Sequence, residues 1–95
     1  MADDSTSLGK ARLRRLRFRA WHRGTREADL VLGPFIDARL AGLSDAEIAW
    51  LERLMEQPDS AIMAWILGKE TPPASFDTPL MAALKRLDYL GKGQA

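Results

Sequence analysis

The stretch Arg23-Gly24-Thr25-Arg26-Glu27 lies between an arginine-rich helical segment and an apolar one. Glycine takes a left-handed backbone conformation at little steric cost, and a threonine followed by acidic residues is a typical helix start. We therefore predict a corner here, where a first helix ends and a second begins. Gly24 and Glu27 could serve this corner alone, as a helix end and a first-turn carboxylate. Alternatively, the corner presents polar groups to a partner.

Helical spacing continues on both sides of the corner. A first helix is predicted over residues 10–22, with Trp21 beside a buried stripe of Leu13, Leu16 and Ala20. The second helix should start near Thr25 and end at Gly42. Its Gly33-Pro34 pair predicts a kink or a break, because proline lacks an amide hydrogen and crowds the carbonyl of Leu30. The apolar residues of this helix follow a 3.6-residue period: Ala28, Val31, Leu32, Phe35 and Ile36.

Three further helices are indicated downstream. Ser44-Asp45-Ala46-Glu47 is a capping box, which predicts a third helix to about Glu56 with Ile48, Leu51 and Met55 inward. Pro58 suits the first position of a fourth helix that ends at Gly68, and residues 71–75 form a proline-rich loop. Asp77-Thr78-Pro79 opens a fifth helix. Its buried stripe is predicted to comprise Leu80, Leu84, Leu87 and Leu90.

No segment alternates with period two, so no sheet is expected. The predicted fold is all-α: a single-domain bundle of about five short helices. Residues 1–9 are predicted as a disordered tail, residues 10–90 as the helical domain and residues 91–95 as a short tail.

Composition excludes most catalytic classes. The 95 residues contain no cysteine and a single histidine, His22, so no thiolate zinc site and no cysteine nucleophile can form. Glycine-rich nucleotide-binding motifs are missing from the sequence as well. We therefore predict a protein that is not an enzyme and has no metal and no cofactor of its own.

The sequence also lacks targeting features. It has no run of about 18 apolar residues that could span a membrane. Asp3 and Asp4 near the start are atypical of export signals and of mitochondrial presequences. A cytoplasmic location is predicted.

Charge is distributed unevenly along the chain. Residues 1–27 carry eight Lys/Arg against three Asp/Glu, whereas the remainder carries six against ten. The six arginines in residues 12–23, with Phe18 and Trp21 among them, could bind phosphates and stack bases. The near-neutral whole domain disfavours nucleic acid, and an acidic protein partner fits the basic face at least as well. Trp21, Trp50 and Trp65 could each be core or interface residues.

The chain resembles the SdhE family, whose eukaryotic counterpart is succinate dehydrogenase assembly factor 2. The resemblance runs in one continuous order over roughly residues 12–87. It rests on the following segments: Arg23 to Asp29, Pro34-Phe35, Leu43 to Glu47, Pro58-Asp59 leading to Trp65, and the proline-rich loop before a last short helix.

This resemblance implies a small chaperone-like assembly factor. Such a protein binds the flavoprotein subunit of succinate dehydrogenase, or of the related fumarate reductase, and promotes covalent attachment of FAD to a client histidine through the 8α-methyl carbon. Its functional element would fall on Arg23, Gly24 and Glu27, with Arg26 and Asp29 as weaker neighbours. Arg23 would bind client carboxylates or carbonyls, Glu27 would accept from client donors, and Gly24 would allow close approach. A monomer is expected.

Two positions depart from the family pattern. Thr25 stands where members commonly carry a bulky apolar residue, often methionine, and Ala28 stands where they often carry leucine. The contact surface or the local packing should therefore differ here. Two other functions remain open: a regulatory or antitoxin-like protein whose arginine face binds nucleic acid or another acidic partner, and an interaction module with an unrelated client.

Overall fold

The computed structural model describes residues 2–90, and the side chains of residues 9–90. Five α-helices make up this described part of the chain, with no strand among them, so the all-α fold class and the bundle are confirmed. The helices are α1 Ala2–Trp21, α2 Arg26–Arg39, α3 Asp45–Met55, α4 Asp59–Ile66 and α5 Pro79–Arg86. Short 3₁₀ turns follow α2 at Leu40–Gly42 and precede α5 at Ala74–Phe76. Met1 and the predicted tail over residues 91–95 lie outside the described residues.

The first helix differs from its predicted extent. It starts at Ala2, well before Lys10, and takes in residues 2–9 of the predicted disordered tail. No proline interrupts residues 2–21, and a lone glycine such as Gly9 weakens a helix without stopping it. Polar composition alone therefore does not end α1.

Local capping signals fix the starts of α2 and α3, as predicted. The Thr25 side chain accepts a hydrogen bond from the Ala28 amide, and Ser44 and Glu47 form a complete capping box. Pro58 is the residue before α4 instead of its first helical residue. Pro79 opens α5 at a first-turn position, where its missing amide hydrogen costs little.

Of the kink or break predicted at Gly33-Pro34, the break is wrong, because α2 runs through Pro34 to Arg39. Proline removes a single amide donor, and the carbonyl that loses its partner belongs to Leu30. Leu30 is 47% exposed and Pro34 is half-buried, so this turn of the helix lies at the surface. Water can hydrate the freed carbonyl there, and the buried face of α2 holds the helix together.

One continuous core joins the helices. Trp50 and Trp65 are buried and both pack on Phe76, with ring centroids 5.7 and 5.4 Å apart, so these two tryptophans belong to the core. At the other end, Tyr89 meets the edge of Phe35 and donates to the Leu84 carbonyl. The largest fully buried side chains are Leu16, Leu32, Phe35, Ile36, Leu51, Leu54, Ile62, Met81 and Leu84.

The last predicted stripe is only partly correct. Leu80 and Leu84 are buried, and Leu87 is half-buried against the core. Leu87 has a positive φ of 56° and ends α5, so the helical spacing stops before Leu90. Leu90 is consequently 41% exposed.

A close approach between α1 and α2 sets the geometry around the corner. Gly33 faces the indole of Trp21 so closely that a Cβ at this position would overlap the ring. The absence of a side chain at Gly33 therefore lets Trp21 lie flat against α2. This contact fixes the end of α1 relative to the start of α2.

Candidate docking site

The predicted corner is formed by residues 22–25, which connect α1 to α2. Gly24 has a φ of 109°, a backbone conformation that side-chain-bearing residues rarely adopt. A Cβ built on Gly24 would meet nothing within 4 Å. Glycine is therefore required here by the backbone, and the space beside it is open.

Arg23 points away from solvent and joins the corner to the turn between α3 and α4. Its Nε donates to Asp59 Oδ1 at 2.8 Å. Its Nη1 donates to the Met55 carbonyl at 2.6 Å, and its Nη2 donates to the Gln57 carbonyl at 2.8 Å. Only 10% of the Arg23 side chain is exposed. All three guanidinium nitrogens thus have partners inside the chain.

Asp29 is also engaged internally. Its Oδ1 accepts the backbone amide of Arg23 at 2.6 Å, which ties the first turn of α2 back to the corner. Thr25 adds a longer bond of 3.4 Å from its hydroxyl to Asp59 Oδ2. The corner is consequently held at both ends, and Arg23 is its anchor.

The remaining residues of the motif face outward. Gly24, Arg26 and Glu27 are exposed. No hydrogen bond or ion pair to the side chain of Arg26 or Glu27 is formed within residues 9–90. An uncommitted cation and an uncommitted carboxylate therefore lie beside a glycine on a rigid base.

The five predicted site residues thus separate into two sets. Gly24, Arg26 and Glu27 are accessible to a partner, whereas Arg23 and Asp29 are occupied within the chain. A direct bond from Arg23 to a partner stays a prediction, and it would require the internal bonds to open. The anchoring role of Arg23 could not be inferred from the motif, because its partners lie 32 to 36 positions away in sequence.

The two family departures fall on different sides of the corner. Thr25 is exposed, so its small size alters the outer surface. Ala28 is fully buried, so its small size alters the packing beneath that surface.

Several arginines of α1 are neutralised by partners from other helices. Arg12 makes a bidentate pair with Glu52, at 2.9 and 2.7 Å, and Arg17 pairs with Asp37 at 2.6 Å. The hydrogen bond from Arg12 holds the pKa of Glu52 below its usual value. With Arg23 also paired, the arginine-rich face offers fewer free cations than its sequence suggests.

Among residues 2–90, no helix is both long and apolar enough to cross a membrane. Three clefts lined by described residues are open to solvent: one lies on α1, one between the end of α2 and α3, and one between α3 and α5. The described residues thus form a small all-α protein with an outward-facing polar corner.

Comparison with known proteins identifies the family. A model of the Sdh5 family, described as flavinator of succinate dehydrogenase, matches residues 14–88. Because this match covers most of the sequence, the chain belongs to the Sdh5 family. No solved structure matches the chain significantly.

Curated relatives agree with this assignment. The FAD assembly factor SdhE of Acetobacter pasteurianus is 38% identical over 83 residues, which cover 87% of this chain and 76% of that protein. The FAD assembly factor SdhE of Ralstonia nicotianae is 35% identical over 68% of this chain and 67% of that protein. The mitochondrial succinate dehydrogenase assembly factor 2 of Cryptococcus neoformans is 34% identical over 87% of this chain, which spans about half (49%) of that longer protein.

Proposed function

We propose that this chain is an assembly factor that binds the flavoprotein subunit of succinate dehydrogenase and promotes covalent attachment of FAD to it. Family membership supports the choice of client. The observation that carries the docking site is the exposed Glu27, next to the open backbone of Gly24, on a corner anchored from within by Arg23.

The corner acts by positioning a partner. Glu27 accepts hydrogen bonds from client amides or an arginine, Arg26 offers a cation beside it, and Gly24 lets a client backbone approach closely. These contacts favour a client conformation in which its histidine and the flavin are aligned for bond formation. The covalent chemistry stays with the client, and this chain is not an enzyme.

Finer features of the function belong to the same proposal. Fumarate reductase, whose flavoprotein subunit is related, is a second client. The chain works as a monomer in the cytoplasm and holds no cofactor of its own. The nucleic-acid alternative is not favoured by the relatives, which are named as assembly factors.

The main test replaces Glu27 with alanine. Glu27 makes no bond within residues 9–90, so Glu27→Ala should leave stability within about 0.5 kcal/mol of wild type, as exposed substitutions usually do. Covalent flavin in the client should fall severalfold, because the carboxylate is a contact to the client. The measurement is flavin fluorescence of the denatured flavoprotein subunit on a gel, after co-expression with each variant.

Glu56→Ala is the matched control, since Glu56 is also an exposed glutamate but follows α3. This control should support wild-type flavin attachment. Equal flavin with Glu27→Ala and Glu56→Ala would remove Glu27 from the site.

Gly24→Arg is a second test, which places a bulky side chain in the open space beside the corner. A φ of 109° also imposes backbone strain on any side-chain-bearing residue there. Gly24→Ala adds the same strain without the bulk, so comparing the two separates obstruction of the client from a loosened corner. Circular dichroism of both variants reports the fold.

A further inference from the structure

A second feature lies on α1, immediately before the corner. Arg14, Arg17, Phe18, Trp21 and His22 line an open cleft of about 410 Å³, which we call the α1 cleft. Phe18 is 62% exposed, more than any other large hydrophobic residue among those described. An aromatic ring this accessible beside a concave surface is typical of a protein contact.

The walls of the α1 cleft are held in place by bonds within the chain. Asp37 accepts from Arg17 and also from the Trp21 indole, the latter at 3.2 Å. Phe18 stacks on His22 with ring centroids 4.0 Å apart, and the His22 ring contacts the Phe18 carbonyl at 2.7 Å through Nδ1. Binding to such a preformed cleft loses little side-chain entropy.

The α1 cleft lies in a positively charged part of the chain. Residues 10–26 include eight Lys/Arg and no Asp/Glu. Within residues 9–90, Asp37 is the carboxylate bonded to the cleft wall, and its charge is shared by Arg17 and Trp21. Arg14 is exposed and forms no ion pair with the side chains described. A ligand with an acidic group is therefore complementary to this surface.

Size and charge together indicate the ligand. The cleft volume accommodates one or two side chains, which suits an extended peptide segment. Nucleic acid would need many phosphate contacts, and the arginines already paired with Glu52, Asp37 and Asp59 reduce the number available. We propose that the α1 cleft binds an acidic segment of the flavoprotein partner, which inserts an aromatic or apolar side chain against Phe18 and places a carboxylate near Arg14.

This inference rests on the proposed function and adds a second region of contact to it. The test measures binding of the purified chain to the purified flavoprotein subunit by isothermal titration calorimetry. Phe18→Ala and Arg14→Glu should each weaken binding about tenfold, as loss of an aromatic or arginine anchor commonly does. Arg14→Glu should also reduce the dependence of affinity on salt concentration.

Two exposed positions outside the α1 cleft provide matched controls. Leu67→Ala removes a side chain that is 50% exposed after α4, and Arg53→Glu makes the same charge reversal on α3. Both should bind like wild type. Affinity lost equally by Arg53→Glu and Arg14→Glu would overturn the inference, because it would reflect net charge alone.

The remaining outcomes separate the two proposals. If wild type binds and Glu27→Ala weakens binding, but Phe18→Ala and Arg14→Glu bind normally, the corner stands and the cleft proposal is wrong. If wild type does not bind the flavoprotein subunit, both proposals are overturned. A salt-sensitive gel shift with duplex DNA that requires Arg14, with unchanged flavoprotein binding, would assign the cleft to nucleic acid instead.

Discussion

Arg23 shows how one residue of a proposed recognition motif can stabilise the fold, while its exposed neighbours are the residues that we propose to bind a partner. Its guanidinium satisfies two main-chain carbonyls and one carboxylate at the turn between α3 and α4. The planar fork of arginine is suited to such convergent acceptors, and lysine could reach only some of them. Glu27, four residues on, is exposed and takes no part in the bonds by which Arg23 and Asp29 hold the corner.

Removing this anchor should destabilise the fold. Arg23→Met removes the donor to Asp59 Oδ1 and to two carbonyls, where the two charged side chains are only 10% and 17% exposed, and leaves Asp59 the longer bond from Thr25. We expect a loss of about 2–4 kcal/mol in the free energy of unfolding, measured by urea titration.

Arg12→Met is the control for this prediction. Arg12 also donates to a carboxylate, that of Glu52, through two nitrogens, but its side chain is 36% exposed. Exposed pairs of this kind contribute little to stability, because water screens the two charges, so Arg12→Met should lose much less stability than Arg23→Met. Losses of similar size in the two variants would refute the anchoring role of Arg23.

At the scale of elements, the contact between α1 and α2 depends on Gly33. Glycine inside a helix normally weakens it by about 1 kcal/mol relative to alanine. Here the missing side chain makes room for the Trp21 ring, which in turn donates to Asp37 further along α2. Gly33 therefore lowers the helix propensity of α2 but permits the close contact between α1 and α2.

Gly33→Ala should therefore reverse the usual sign of the substitution. Because the new methyl group would overlap Trp21, we expect a net destabilisation of about 1–3 kcal/mol, read from thermal unfolding. Gly42→Ala, where a Cβ meets nothing within 4 Å, should be near neutral. A Gly33→Ala variant more stable than wild type would show that Trp21 moves aside freely.

The helix starts and ends show how much of the fold can be predicted from the sequence. The starts of α2 and α3 are set by side chains within three positions of the amides they cap, so Thr25 and Ser44 were identifiable. The continuity of α2 through Pro34 and the exposure of Leu90 depend on packing, which local patterns do not encode. The family pattern predicts Glu27 as a site residue, which stays a prediction, and the structure leaves it exposed. The inward position of Arg23 could not be predicted, because its partners are distant in sequence.

At the scale of the molecule, ion pairs link α1 and the corner after it to the more acidic remainder of the chain. Arg12 reaches Glu52 on α3, Arg17 reaches Asp37 on α2, and Arg23 reaches Asp59 on α4. Part of the positive charge of residues 1–27 is thus paired with carboxylates on the other helices, and these pairs hold α1 against them. What remains uncompensated is concentrated at residues such as Arg14 and Arg26.

Low pH should weaken the attachment of α1 to α3. Arg12 lowers the folded-state pKa of Glu52, so the stabilising contribution of this pair is present above the unfolded glutamate pKa of about 4.3 and is lost as pH falls through the lower folded value. Glu52→Gln should be less stable than wild type at neutral pH by less than about 1 kcal/mol. The difference in stability between the two proteins should shrink as pH falls below the unfolded glutamate pKa, as followed by thermal unfolding, and a difference that does not shrink would exclude the ion pair as its source.

The bonds from Arg23 to Met55, Gln57 and Asp59 have a consequence for where harmful substitutions should lie. The proposed client surface rests on a turn that the chain supplies from 32 to 36 positions further on. A substitution that removes the Asp59 carboxylate should therefore weaken recognition without any contact between Asp59 and the client. Loss-of-function variants should gather in two separate places, one on the recognised face and the other on its support.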